Sequence, residues 1–260
     1  MEVDGVPEKF YKYRPMSDAK AVERAEEIVM GDEIYFAGPA TFNDPFDLKP
    51  AYSLAASPEK QRANFLRLSR KFRPLSTEDE HAAEADKVMR SGLSPESIVA
   101  TTREIQWMLG KILSNVGVFC VSTKGDDILM WSHYADAHTG ICLEFDGFGP
   151  LMAHAHKVFY SASRTPVNPY EDDGLAVDKA MLTKSLHWAY EEEWRLIDHE
   201  RGPGKIQYRP ENLTGIVLGA HASSETVAIA RKWQREHATP LALYRARFSS
   251  TDYLLEIHSA

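Results

Sequence analysis

The sequence predicts an α+β fold, a mixed or split β-sheet core carrying a helical insertion. Strand-like segments occupy both ends of the chain and part of its middle. Their order with the helical segments is neither strictly alternating nor segregated, which argues against a doubly wound sheet and against separate all-α and all-β layers. Between about residues 57 and 115 the character changes to charged, alanine-rich segments with helical periodicity. We read 1–260 as one domain interrupted by that insertion.

Taken in order, Phe10 to Arg14 alternates as a strand, with Lys12 and Arg14 on one face and Pro15 blocking continuation. A helix follows, capped by Ser17, striped by Val22, Ala25, Ile28 and Val29, and stopped by Gly31. Glu33 to Phe36 is a short strand, and residues 38–47 hold too many turn formers to be regular. Past the insertion, Val116 to Ser122 is a strand, a helix holds Met130, Trp131, Tyr134 and Ala135, and Gly140 to Phe145 is a strand. A strand around Val158 to Ser161 precedes a helix from about Leu175 to Trp188. The final elements are strands at Thr214 to Leu218, Leu241 to Phe248 and Tyr253 to Ile257, with a helix across Ser223 to His237.

Composition bounds the function. At 260 residues and 43% hydrophobic content the chain can bury a core of its own. No run of about 18 apolar residues offers a membrane span, and the N-terminus lacks a signal-peptide pattern, so we expect a soluble, cytoplasmic protein with no membrane partner. Cys120 and Cys142 both sit in apolar strand runs, where buried reduced thiols are expected rather than a disulfide. The formal net charge of −8 argues against broad nonspecific nucleic-acid binding. His133 and His138 are five apart, and His154-Ala-His156 lacks neighbouring ligands, so no metal is expected.

The most informative stretch is Trp188-Ala-Tyr-Glu-Glu-Glu-Trp-Arg195. As a strand it puts Glu191, Glu193 and Arg195 on one face; as a helix it pairs Glu191 with Arg195 four residues on, an ordinary surface ion pair. Asn43-Asp-Pro-Phe46 reads either as an Asx turn anchored by a buried Phe46 or as a loop presenting Asn43 and Asp44 to a ligand. Trp131 and Tyr134 share a helical face, so core packing is their default, with the Tyr134 hydroxyl the better site candidate. No nucleophile elbow, phosphate loop or dinucleotide glycine motif occurs.

Several blocks carry a resemblance. Tyr11-Lys-Tyr-Arg14, Ile34-Tyr-Phe with Phe42-Asn-Asp-Pro-Phe46, Phe119-Cys-Val-Ser122 with Met130-Trp-Ser-His-Tyr-Ala135 and Gly140-Ile-Cys-Leu-Glu-Phe145, and the Trp188 to Arg195 stretch look like successive blocks of the bacterial domain-of-unknown-function family 2971. The order of an early basic strand residue, a central aromatic and a late Glu-x-Glu is also similar to the ADP-ribosyltransferase superfamily. That second resemblance implies its fold, NAD as substrate, and transfer of ADP-ribose to a macromolecular acceptor or hydrolysis, in a setting such as a bacterial toxin or phage-defence effector.

Carried onto this chain, Lys12 takes the basic position with Arg14 beside it, Tyr134 flanks the nicotinamide and Glu193 is the catalytic glutamate. Lys12 departs from the superfamily's usual His or Arg. In this reading Glu193 stabilises the oxocarbenium-like sugar, Lys12 and Arg14 hold the pyrophosphate, and Glu191 orients or deprotonates the acceptor. Catalysis then rests on Glu193, Glu191 and Tyr134, and substrate binding on Lys12, Arg14, Asn43, Asp44, Ser122, Trp131 and Arg195, with a nucleotide-type small molecule as ligand. The alternatives are a structural charge network, a noncatalytic nucleotide- or protein-binding module, or a two-carboxylate glycoside hydrolase.

Overall fold

The computed structural model describes residues 5–53, 55–91, 103, 107, 110–111, 113–164, 166–168 and 176–260. The chain divides into two compact units. The first comprises Met1–Phe42, Asn115–Tyr160 and Leu186–Ala260; the second comprises Asn43–Ser114 and Ser161–Ser185. The second unit therefore takes in the segment expected as the insertion and adds the Asn43 loop and a later stretch. The fold is mixed α+β, with one large sheet.

The strands in chain order are β1 Lys9–Arg14, β2 Glu33–Phe36, β3 Ala51–Tyr52, β4 Gly117–Ser122, β5 Ile141–Asp146, β6 His156–Lys157, β7 Phe159–Ser161, β8 Pro166–Val167, β9 Thr183–Ser185, β10 Glu193–Asp198, β11 Gly204–Gln207, β12 Leu213–Leu218, β13 Ala242–Phe248 and β14 Leu255–Ser259. The first unit is built on an eight-stranded sheet ordered β14-β13-β12-β5-β1-β4-β10-β6. Neighbours are antiparallel except β12 and β13, which are parallel and joined through the helix Ser224–Glu236. A parallel pair needs such a crossover, whereas the antiparallel neighbours do not.

One sheet face packs against the helices Ala19–Val29 and Ser224–Glu236. Phe10, Phe119, Leu143, Phe145 and Ile216 meet Ala25, Ile28 and Trp233 there, all buried. Truncating a side chain as enclosed as Trp233 to alanine costs about 3–5 kcal/mol. The helix Ala19–Val29 is capped by Asp18, whose carboxylate accepts from Ala21 N–H at 2.8 Å, rather than by Ser17. Ser17 N–H is instead held by Asp136 Oδ2 at 3.0 Å, and the left-handed residue after the helix is Asp32, not Gly31.

The opposite face carries a second, smaller core under the helix Ile128–Tyr134. Trp131 is fully buried, sits edge-on to Tyr13 at 5.2 Å between ring centroids, and donates its indole N–H to Gly125 O at 3.0 Å. It is a core residue with its one polar group satisfied, so it is not placed to contact a substrate as expected from the sequence. Cys142 is buried and Cys120 half-buried, both as free thiols. They flank Tyr13 from β5 and β4, two strand spacings apart, about 9–10 Å. That separation exceeds what a disulfide can bridge.

Within the second unit the helices Pro58–Phe72 and Glu78–Ser91 pair through Arg62–Asp86 at 2.7 Å and Arg70–Glu78 at 2.6 Å. The expected helix from Leu175 to Trp188 is shorter. It spans Ala176–Leu182 and gives way to β9 and then to a 3₁₀ segment, Leu186–Glu191.

Candidate functional site

The pairing register decides which side chains meet. Tyr11 of β1 lies opposite Glu144 of β5 and Ser122 of β4, and Ser122 lies opposite Glu193 of β10. Directly paired residues project to the same face, so Glu144, Tyr11, Ser122 and Glu193 form a row across four strands on the side of the helix Ile128–Tyr134. The next row on that face holds Cys142, Tyr13, Cys120 and Arg195.

Lys12 and Arg14 alternate with Tyr11 and Tyr13 and so project from the other face. Lys12 Nζ donates to Cys120 O at 2.8 Å and lies 4.8 Å over the Phe119 ring, among the larger core. Burial, the largest influence, pushes its pKa down, although the nearby Cys120, Glu193 and Glu191 act in the opposite sense. The expected common cleft joining Lys12 and Arg14 to Glu193 is therefore not formed. A sheet stands between them.

Glu191 and Glu193 are also not related by strand alternation. The 3₁₀ segment ends at Glu191, and Glu192 takes a left-handed conformation with φ 42° before β10 begins at Glu193. Such a conformation in a residue other than glycine costs about 1 kcal/mol or more and persists where surrounding bonds over-determine it. Thr123 supplies them: its hydroxyl donates to Glu192 Oε2 at 2.6 Å and its N–H to Glu192 O at 3.3 Å. Lys124 Nζ lies 3.3 Å from Glu192 Oε1.

The kink brings Glu191 to Tyr134, whose hydroxyl donates to Glu191 Oε1 at 2.6 Å. Ser122 fixes the same residue from below, donating to Glu191 O at 2.6 Å while accepting from Lys124 N–H at 2.9 Å. Beside this pair stand Tyr190, whose hydroxyl is 2.8 Å from His133 Nδ1, and Trp188, 6.2 Å from Tyr190 between ring centroids. These aromatic neighbours lie in or beside the Trp188 to Arg195 stretch, yet alternation alone does not single them out.

Glu193 and Arg195 form a bidentate pair, Arg195 Nε to Oε1 at 2.7 Å and Nη2 to Oε2 at 3.1 Å. Arg195 is fully buried and Glu193 nearly so. The guanidinium also lies 5.7 Å from the centre of the Phe42 ring. Tyr160 accepts from Glu193 N–H at 2.8 Å. The Cys120 thiol is pushed well up by burial and then by Glu193, which makes it a poor nucleophile.

The row's other end is a second carboxylate the sequence reading did not single out. Glu144 Oε2 accepts from Lys9 Nζ at 3.0 Å and Tyr11 OH at 3.3 Å, and Oε1 accepts from Thr214 at 2.9 Å. Its signal in the sequence is a lone charge inside the apolar run Ile141 to Phe145.

Asn43 and Asp44 belong to the second unit. Asp44 is buried and its Oδ1 accepts from Phe46 N–H at 2.8 Å, the expected Asx turn. Phe46 is not the buried anchor: it is 58% exposed, with the Arg164 guanidinium 5.4 Å from its ring centre. Leu48 is the buried apolar residue of the loop instead. A cation over the ring face offsets part of the exposure that an apolar pocket would have removed.

Among the described residues no group of three or more His, Cys, Asp or Glu side chains is placed to hold a metal ion, and no helix is long and apolar enough to cross a membrane. Comparison with protein-family models, curated proteins and solved structures finds no match to this chain.

Proposed function

We propose that the protein cleaves the nicotinamide–ribose bond of NAD and transfers ADP-ribose to a macromolecular acceptor, with Glu191 as the reacting carboxylate. The observation that carries this reading is the 2.6 Å bond from the Tyr134 phenol to Glu191 Oε1, set beside Tyr190 and Trp188. A carboxylate positioned by a phenol in a largely dry setting stabilises the positive charge that develops on the sugar. The aromatic neighbours suit a stackable ring. As the carbon–nitrogen bond breaks, its electron pair leaves with nicotinamide, and the acceptor's nucleophile bonds to the anomeric carbon. With water as acceptor the outcome is hydrolysis.

Ser122 and the buried Glu193–Arg195 pair act as positioning residues, holding the Glu191 backbone and the start of β10. This differs from a mechanism centred on Glu193, because the Tyr134 phenol donates to Glu191 and not to the carboxylate that begins β10. The reading keeps the activity that the resemblance to the ADP-ribosyltransferase superfamily implies but moves the reacting carboxylate from Glu193 to Glu191, and we retain family 2971 as the proposed affiliation and a toxin or phage-defence role as the proposed setting.

A second reading, a noncatalytic nucleotide- or protein-binding module, is favoured by the placement of Lys12 and Arg14 on the far face, away from any pyrophosphate bound beside Glu191. Following nicotinamide release from NAD by the pure protein, with and without an acceptor extract, separates the two. Under the catalytic reading Glu191→Gln lowers turnover about 100- to 1,000-fold with little change in NAD affinity. NAD binding without release under either condition supports the module instead, and release that survives Glu191→Gln unchanged rejects the role given to Glu191.

A further inference from the structure

The eight-stranded sheet ends at β14, which pairs with β13 on one side and, among the described residues, with no strand on the other. Every residue from Glu256 to Ala260 is exposed. Native proteins blunt such an edge with proline, lysine, a bulge or a covering segment. β14 shows none of these: it reads Leu255-Glu-Ile-His-Ser259, and its register with β13 runs unbroken along that length.

The ladder fixes which backbone groups the edge offers. Ser249 N–H donates to Leu254 O at 3.1 Å, and Ala260 N–H donates to Leu243 O at 3.0 Å. Hydrogen-bonded pairs recur at every second residue of an antiparallel ladder, so Glu256 and His258 also turn their backbone groups to β13. Leu255, Ile257 and Ser259 point theirs outward. The side chains of these three share a face, on which Leu255 is buried in the smaller core and Ile257 remains 37% exposed.

We infer that β14 is a docking edge for a second copy of this chain, paired antiparallel about a two-fold axis through Ile257. In that register Ile257 lies opposite the partner's Ile257 and Leu255 opposite the partner's Ser259, so each outward N–H meets an outward carbonyl. Glu256 then lies opposite the partner's His258, in the close, non-hydrogen-bonded kind of pair. A carboxylate facing an imidazole there is stabilising, whereas like charges directly opposite repel. The two side chains already reach each other within one strand, His258 Nε2 lying 3.2 Å from Glu256 Oε2. A strand that complements itself in backbone, apolar side chain and charge fits an isologous interface.

Sedimentation velocity of the whole protein over a wide concentration range tests this, because pairing through one strand buries little area and gives a weak dimer. A monomer–dimer equilibrium is expected. Ile257→Pro removes an outward N–H while sparing the bonds to β13, and His258→Glu sets like charges opposite each other on both sides of the axis. Each should raise the dimer dissociation constant about tenfold or more, with circular dichroism confirming an unchanged fold. Adding Glu256→Lys to His258→Glu brings opposite charges together again and should restore the dimer, which a merely weakened strand would not do. A wild type monomeric throughout, which would leave the edge to an extended segment of another protein, overturns the proposal. So does a dimer that either single variant leaves intact, or one that the double variant fails to restore.

Discussion

The Glu193–Arg195 pair sets the sharpest test of how this site is built. Arg195 has no solvent exposure, Glu193 is 4% exposed, and two short bonds join them. Replacing Arg195 with Met keeps much of the volume but leaves a carboxylate in a dry site, for which the expected loss is about 3–5 kcal/mol. Glu193→Gln removes the negative charge bonded to a buried guanidinium and should cost a similar amount.

The double variant Glu193→Gln, Arg195→Met removes both charges, so its loss should fall well short of the sum of the singles, with a coupling of about 1–3 kcal/mol. Urea unfolding followed by tryptophan fluorescence measures all three, with circular dichroism confirming that each variant is folded. Single variants within about 0.5 kcal/mol of wild type, or losses that simply add, would refute the view that the pair supports the structure. A Glu193→Gln protein of unchanged stability that loses all NAD cleavage would return the catalytic role to Glu193.

Two further outcomes follow from buried groups. Cys120 and Cys142 have their thiol pKa values pushed up, chiefly by burial, so a thiol reagent at pH 7 should label neither in the native protein and both after denaturation; rapid native labelling would contradict this. His138 Nε2 is 3.1 Å from Ser132 Oγ, which donates to Ile128 O, and His138 Nδ1 is buried without a partner. Burial, then His221, lowers the pKa of His138, so below the ordinary histidine value of about 6.5 the unfolded chain takes up the proton first. Its contribution to stability is complete above that pH and is lost as pH falls. His138→Asn, which tolerates the left-handed backbone at φ 71°, should flatten the fall in melting temperature between about pH 6.5 and 5; an unchanged profile would remove His138 as its cause.

Alternation of apolar residues and turn chemistry made most strands legible, because the two-residue period of a strand is local. The strands at Phe10 to Arg14, Val116 to Ser122, Gly140 to Phe145 and Thr214 to Leu218 lie within a residue of their structural limits. The sequence also determined that Lys12 and Arg14 share a face, and it marked an Asx turn at Asn43-Asp44, of which the structure shows Asp44 to be the acceptor. The tertiary structure decided which face that is. A strand's two sides become inside and outside only through its register with its neighbours, and a shift of one residue exchanges them. The pairing of Tyr11 with Ser122 and of Ser122 with Glu193 therefore separated Lys12 from the carboxylates, a fact absent from any one segment. Glu192 is the same lesson in a single residue: glutamate has no intrinsic preference for a left-handed backbone, so bonds from residues distant in sequence, Thr123 and Lys124 to Glu192 and Ser122 to Glu191, turn Glu191 out of the strand and onto Tyr134.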